Sequence, residues 1–404
     1  MKILMVNKFF FLKGGAETVF FQEREMAAEA GFQVIDFSMQ HERNLESPFN
    51  DFFVRNIDYY DHHGLISKVK TAIRFIHNQE ACQKLAALIR QERPDIVHFH
   101  NIYHQLTPSV IKVAKANGCK TVLTVHDTKI ACPAYTMYRD GHTCEECLQK
   151  SVWHATKNRC QNGSLFKSLL LSLEARFQEI SGNYRALDMM IAPSEFLAGI
   201  IRWKLPDNRI EVIVNGIDES IGVSQSQNGG YFLYLGRLSR EKGVETLAKA
   251  YQLSRRQLPL KIVGDGPLTA GLSRQYSDIE LLGFKKGDEL ESLIRNATAV
   301  IVPSECYENC SMSVLEAMAY GKPVIGARIG GIPEQVRDGV EGRLFPAGDG
   351  VALAQLMDEF ATAPELVDEY GRNARLRLEE KYSLTRHKQA LLDLYQSLTG
   401  ELKC

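Results

Sequence analysis

PSECYENCSMSVLEAMAYGKPVIGARIGGIPE, from Pro303 to Glu334, follows the apolar run Ala299–Val302 and reads as strand end, loop, helix, strand and glycine turn. Ser311 or Ser313 can cap the helix, and Gly321 stops it. This places a polar loop at the mouth of a parallel sheet. A helix N-terminus presents unpaired N–H groups and about half a positive charge, so the loop Asn309-Cys310-Ser311 suits an anion such as a phosphate. Glu308 stands beside that position and Glu316 lies further along the helix. Two carboxylates near a bound phosphate are not there to attract it. They suit hydroxyls, those of a ribose and of a sugar. Taken alone, the spacing also describes an amphipathic helix with a solvated glutamate, so the rest of the chain has to decide.

The chain has 404 residues, enough for two or three domains with cores of their own. A net charge of −1 sets up no basic field for nucleic acid and no acidic block for disorder. In MKILMVNKFFFLKGG, Lys8 and Lys13 interrupt the apolar run and no small-residue cleavage site follows, which predicts a buried first strand and not a signal peptide. No apolar stretch is long enough to span a membrane. Nine cysteines without an export signal point to reduced thiols and a cytoplasmic setting.

From Met1 to Asp218, β-rich runs (KILMV, QVIDFS, DIVHFH, TVLTVH) alternate with helical patterns near 16–30, 79–91 and 108–117, which predicts a Rossmann-like domain. Gly14-Gly15-Ala16-Glu17 separates the first strand from the first helix, where glycine allows close backbone approach, as it also does in a plain tight turn. Ten of the eleven histidines precede residue 155. His98 and His100 alternate on one strand and face one side. His126-Asp127 ends the next strand, where open α/β sheets bind ligands, although a satisfied histidine beside a turn-forming aspartate would read the same way.

Cys132, Cys144, Cys147 and Cys160 follow as C-x11-C-x2-C-x12-C in a turn-rich insertion of about 130–162. Two thiolates from the central C-x2-C and two outer cysteines make a tetrahedral set typical of structural zinc. An iron–sulfur cluster takes the same four thiolates, His142 and His154 are substitute ligands, and four unrelated cysteines remain an alternative. Ser164 to Tyr184 reads as an amphipathic helix, for packing on that insertion or for contact with a membrane surface.

The polar run 219–230 reads as a linker. A second Rossmann-like set begins with YFLYLG at Tyr231 and extends to about 380. Arg237 and Lys242 lie before a helix starting near Val244, where cations oppose the macrodipole and imply an anion between them. LKIVGDGP carries the turn Gly264-Asp265-Gly266. Gly330-Gly331-Ile332-Pro333-Glu334 opens another helix, with Glu334 either in solvent or near a nucleotide. A helix from 381 to the end closes the chain.

Taken together and in order, Gly14-Gly15-Ala16-Glu17, His126-Asp127, Arg237 with Lys242, Gly264-Asp265-Gly266, and Glu308 with Glu316 resemble the retaining glycosyltransferases of family 4. The resemblance implies the GT-B fold, two Rossmann-like domains facing across a cleft, with the last helix returning to the first domain. It implies sugar transfer from a nucleotide diphosphate to an acceptor hydroxyl, without a catalytic metal. In that reading Glu308 and His126 contact the donor sugar, and Arg237 and Lys242 hold the diphosphate. Gly15, Gly236, Gly266, Asn309, Cys310, Ser311, Met312 and Glu316 bind the donor, with Glu316 on the ribose, while Glu17 and Asp127 lie on the acceptor side. Many members carry Gly-Phe-Gly where this chain has Asn309-Cys310-Ser311, which narrows the space around the diphosphate. Members with such a cysteine insertion look like enzymes of bacterial surface polysaccharide assembly, so the implied acceptor is a lipid-linked glycan, reached by peripheral contact with the inner membrane face. Other expectations from the same residues are a nucleotide-sugar epimerase or hydrolase of this fold, and a non-catalytic scaffold held by the insertion.

Overall fold

The structure is a computed structural model that describes residues 1–57, 65–222 and 229–400. Its first half contains β1 (Lys2–Val6), β2 (Gln33–Phe37), β3 (Ile96–Phe99), β4 (Lys120–Thr124), the short hairpin β5 (Tyr138–Arg139) and β6 (His142–Thr143), then β7 (Met189–Ala192) and β8 (Ile210–Val212). Apart from the hairpin these strands form one parallel sheet in the order β2-β1-β3-β4-β7-β8. Runs such as KILMV are apolar at consecutive positions because both faces are covered. Leu4 and Val6 join the core on one face with Val97 and Phe99, while Ile3 and Met5 join that on the other face with Ile96 and Val122.

The second half repeats the plan with β9 (Phe232–Leu235), β10 (Leu260–Val263), β11 (Glu280–Gly283), β12 (Ala299–Val302), β13 (Val324–Ala327) and β14 (Gly342–Phe345). These are parallel, in the order β11-β10-β9-β12-β13-β14. In such sheets ligands bind beyond the strand C-termini where the order reverses, here beyond β1 and β3 in one half and β9 and β12 in the other.

The last helix, Leu384–Thr399, returns to the first domain. Leu391, Leu394 and Tyr395 are buried against Ile3 and Met5, and Lys388 pairs with Glu29 at 2.6 Å. The connection read as a linker at 219–230 lies outside the described residues over 223–228. Its first part is packed: Glu219 accepts the Leu384 amide, and a Cβ on Gly222 would stand 2.2 Å from the Ala319 carbonyl oxygen. Among the described residues no helix is long and apolar enough to cross a membrane.

Candidate functional site

β12 ends at Val302, and the six residues after it carry the chain to Glu308. Lys242 closes a 3-10 turn, Arg240–Lys242, ahead of the helix Val244–Leu253. Its Nζ lies 2.7 Å from Glu308 Oε1, an oxygen that also accepts the Ser304 hydroxyl at 2.6 Å. Burial works against both charges. The Lys242 ammonium nonetheless holds the Glu308 carboxyl below the usual range, and Glu308 raises Lys242. Of the two cations expected beside an anion, Lys242 is paired with the protein's own Glu308 carboxylate. Arg237 is exposed at the rim and makes no ion pair among the described residues.

Ser311 occupies the N-cap position of the helix Met312–Ala319, but its side chain makes no cap bond, and Ser313 Oγ donates to the Leu235 carbonyl at 3.0 Å instead. This corrects the capping expectation. The Ser311 amide is also taken, by Gln335 Oε1 at 2.8 Å. The amides left for an anion are therefore the next ones, Met312 to Val314, which an eight-residue helix cannot pair internally. Gly331 locks this loop: its amide donates to Glu308 O at 2.6 Å, and a Cβ there would stand 2.0 Å from Asn309 O. Glu316 lies on the same helix, partly buried, and burial raises its carboxyl to about 7.

Glu334 is half-buried and reaches across to the first domain. Its carboxylate accepts the Glu195 and Phe196 amides at 2.9 and 2.6 Å, capping the first-domain helix Glu195–Lys204 from across the cleft. Sequence reasoning could not see this, since both amides belong to a helix 138 residues away or more.

The first domain supplies Gly15, His126 and Asp127. Gly14 stands at the N-cap of the helix Gly15–Glu29, and a Cβ on Gly15 would meet Met312 Cγ at 3.4 Å, so the two domains touch there. His126 lies just beyond β4, with its carbonyl accepting Asn309 Nδ2 at 2.8 Å. Burial lowers its imidazole to about 4, so the ring is neutral near pH 7. Asp127 accepts the Lys129 amide at 2.8 Å, and burial raises its carboxyl. Glu17 is buried behind the glycine turn, 3.4 Å from Asn101 Nδ2. Gly266 packs on the backbone of Leu238, where a Cβ would stand 2.3 Å from the carbonyl oxygen. Its place is therefore beneath the Arg237 loop and not in the cavities.

Two adjoining cavities fill the cleft. One of about 270 Å³ is lined by Gly15, His126, Gly236, Arg237, Lys242 and the segment Cys310–Ser313. The other, of about 300 Å³, is lined by His126, Asp127, Tyr135, Thr136, Lys242, Tyr307 and the segment Glu308–Cys310. His126, Asn215, Lys242, Glu308 and Cys310 border both. Asn215 was missed in the sequence, although the Asn215-Gly216 pair at the end of a strand signals a turn. Ser304 and Gln335 carried no signal of their own, since each acts by holding a backbone or carboxylate placed by the fold.

The cysteine insertion forms the outer wall. Tyr138 donates to Glu305 Oε2 at 2.9 Å, and Tyr307 donates to Glu145 Oε1 at 2.8 Å, so the insertion grips the loop that carries Glu308. Cys132, Cys144, Cys147 and Cys160 are all free thiols. They act on one another electrostatically, and the amides of Met137 and Ala134 point at the Cys132 sulfur. Among the described residues, the one group with three ligand atoms mutually within 4.8 Å is Glu23, His98 and His100, so the four sulfurs stand further apart than a bound ion would hold them.

Two parallel-sheet domains with a cleft between their switch points define the GT-B fold. The same fold is found in sucrose-phosphate synthase from Thermosynechococcus elongatus (TM-score 0.73, 19% identity, 99% of this chain and 100% of that one). It is also found in HepE from Anabaena in complex with UDP (TM-score 0.67, 18% identity, 98% and 100%). The family model for Glycosyltransferase Family 4 matches residues 13–221, and that for glycosyl transferases group 1 matches residues 217–377. The first of these covers more than half of the chain, which therefore belongs to glycosyltransferase family 4. Among its relatives are two uncharacterized glycosyltransferases of Methanocaldococcus jannaschii, one 30% identical over 52% of this chain and 60% of the relative, the other 25% identical over 78% and 79%. The O-antigen chain mannosyltransferase C of Escherichia coli is 31% identical over 42% of this chain and 47% of its own length.

Proposed function

We propose that the protein is a retaining glycosyltransferase that uses a nucleotide-diphosphate sugar. The observation carrying this reading is the Lys242–Glu308 ion pair at the border of both cavities, between His126 on one side and the free amides of the helix Met312–Ala319 on the other. A diphosphate seated on those amides would take Lys242 and Arg237 as partners and leave Glu308 free to accept a sugar hydroxyl. Charge growing on the leaving diphosphate is then met by groups already in place, often the largest catalytic contribution. Asp127 is held by its own turn, which supports front-face attack: the bond from the anomeric carbon to the phosphate oxygen breaks, the acceptor oxygen bonds on the same face, and its proton passes to the leaving oxygen. This route asks for no catalytic metal.

The proposed acceptor is a lipid-linked glycan of surface polysaccharide assembly, reached by peripheral contact with the inner membrane face. The helix Leu165–Ser181 supports that contact, because Phe166 (82% exposed), Leu173, Phe177 and Ile180 (72% exposed) leave a row of apolar side chains in solvent beside Lys167 and Arg176. The four cysteines are proposed to hold a structural zinc ion, which fits a set of free thiols with amides aimed at one sulfur. Binding would draw the sulfurs together.

A panel of nucleoside diphosphates and their sugars, read by thermal midpoint, tests the donor site. Product analysis with and without a lipid extract then separates transfer from epimerisation or hydrolysis. A single nucleotide that raises the midpoint and a product that forms only with lipid extract are expected. The absence of any nucleotide response at millimolar concentration would sink the proposal.

A further inference from the structure

Behind His126 lies a fully buried cluster that none of the steps above uses. Glu23, on the helix Gly15–Glu29, and His98 and His100, from β3 and its end, are all completely buried. Glu23 Oε2 is 3.4 Å from His98 Nδ1 and 3.5 Å from His100 Nε2, while Oε1 is 3.3 Å from Nε2 of His387 on the last helix. His98 is further held by Tyr395 Oη at 2.6 Å and Thr124 Oγ1 at 2.8 Å. His100 Nδ1 lies 2.9 Å from His126 Nε2.

The proton positions follow from donor and acceptor rules. His387 Nδ1 faces the Val214 carbonyl at 2.7 Å, which can only accept, so that nitrogen carries a proton. Burial opposes charge on His387 and Glu23, but each favours the charged form of the other, so His387 is raised and Glu23 is lowered. Glu23 is then a carboxylate, an acceptor only. His100, kept neutral by burial, makes no hydrogen bond from Nε2, but a lone pair there would face the carboxylate 3.5 Å away and be repelled, so its one proton sits on Nε2 and leaves Nδ1 as an acceptor. The neutral His126 must therefore donate from Nε2, and its Nδ1 keeps a lone pair, on a residue that borders both cavities.

We infer that Glu23 and His100 are positioning residues that fix His126 in its Nε2–H tautomer, so that Nδ1 accepts a hydrogen bond from a hydroxyl of the transferred sugar. The inference rests on the reading of His126 as a sugar contact. It also gives the last helix a part in the site, since His387 supplies the charge that keeps Glu23 ionised.

Nitrogen-15 NMR of histidine-labelled protein reads the tautomer without any donor, with His126→Gln identifying the resonance. A protonated Nε2 and a bare Nδ1 are expected on His126. His100→Leu should blur that preference, whereas His100→Asn, whose Oδ1 can stand where Nδ1 stood, should keep it. In turnover, His100→Leu should lose about tenfold in kcat with KM for the nucleotide sugar within about twofold, and His100→Asn should recover most of it, the scale of one hydrogen bond to a reacting group. A protonated Nδ1 on wild-type His126 overturns the inference even if the leucine variant fails to fold. A protein with the expected tautomer but no turnover of any nucleotide sugar would overturn the proposed activity and leave the relay standing.

Discussion

The Glu334 carboxylate, in the second domain, accepts the Phe196 amide, in the first, at 2.6 Å. A negative charge at a helix N-terminus is favourable, and here it also ties the two halves of the cleft together. Glu334→Ala should cost about 1 kcal/mol and open the contact between domains. Hydrogen exchange at Glu195 and Phe196 checks this; amides that exchange no faster in the variant would mean that the carboxylate holds nothing.

Lys242→Ala removes the partner of Glu308 and the main cation of the proposed diphosphate site. A nucleoside diphosphate at a hundred times its dissociation constant should stabilise the wild type by about 2.7 kcal/mol, a shift of a few degrees. That shift should vanish in the variant, and kcat should fall by about a hundredfold or more. A variant that keeps the full nucleotide response would move the diphosphate elsewhere.

Burial lifts Glu316 to about 7, so the folded chain holds this proton more tightly than the unfolded chain does. Its contribution to stability therefore falls as pH rises from the ordinary carboxylate range to about 7 and is level above that. If the ionised form accepts the ribose hydroxyls, nucleotide affinity should rise across the same interval, with binding at pH 6 about tenfold weaker than at pH 8. Glu316→Gln should abolish the dependence. Titrations at the two pH values decide.

The Glu23–His387 pair couples in the opposite sense at its two ends. His387 is raised, so its contribution is present below its unfolded pKa and is lost as pH climbs through the folded value. Glu23 is lowered, so its contribution is present above its unfolded pKa and is lost as pH falls through the folded value. The pair is thus strongest between the unfolded values, about 4.5 and 6.5. His387→Ala leaves a buried carboxylate alone and should cost about 3–5 kcal/mol near pH 6, less at pH 9. Thermal midpoints of both proteins at the two pH values supply the comparison.

Metal analysis of the purified protein should find one zinc ion per chain, and chelation should lower the midpoint by several degrees. Cys147→Ser and Cys160→Ser should each lose the ion. Because the insertion grips the Glu308 loop through Tyr138 and Tyr307, metal loss should raise KM for the acceptor more than for the nucleotide. Protein that is metal-free as purified and indifferent to added zinc would return the cysteines to the role of unlinked thiols.

Much of the site was legible because strand C-termini in a parallel sheet are where a chain can expose backbone and polar side chains to a ligand. Gly15, His126, Arg237, Lys242 and Glu308 all stand at such ends, after apolar runs that announce the strands. Gly266 stands at such an end as well, yet it packs beneath the Arg237 loop, because a glycine at a turn signals close approach without saying to what. Asn215, Ser304 and Gln335 were not singled out, since a small polar residue acquires meaning only from the carboxylate or amide that the fold brings to it.

By itself, the sequence determined two parallel-sheet domains, the glycine turns and the helix whose N-terminus faces the cleft, because hydrophobic periodicity and glycine conformation act over a few residues. Only the tertiary structure decided which charges meet. Lys242 and Glu308 are 66 positions apart, and His98 and Tyr395 are 297 apart. The capping of the Glu195 helix by Glu334 belongs with them. A buried charge must be paired, but its partner is chosen by how the domains close on one another, and no local pattern records that choice.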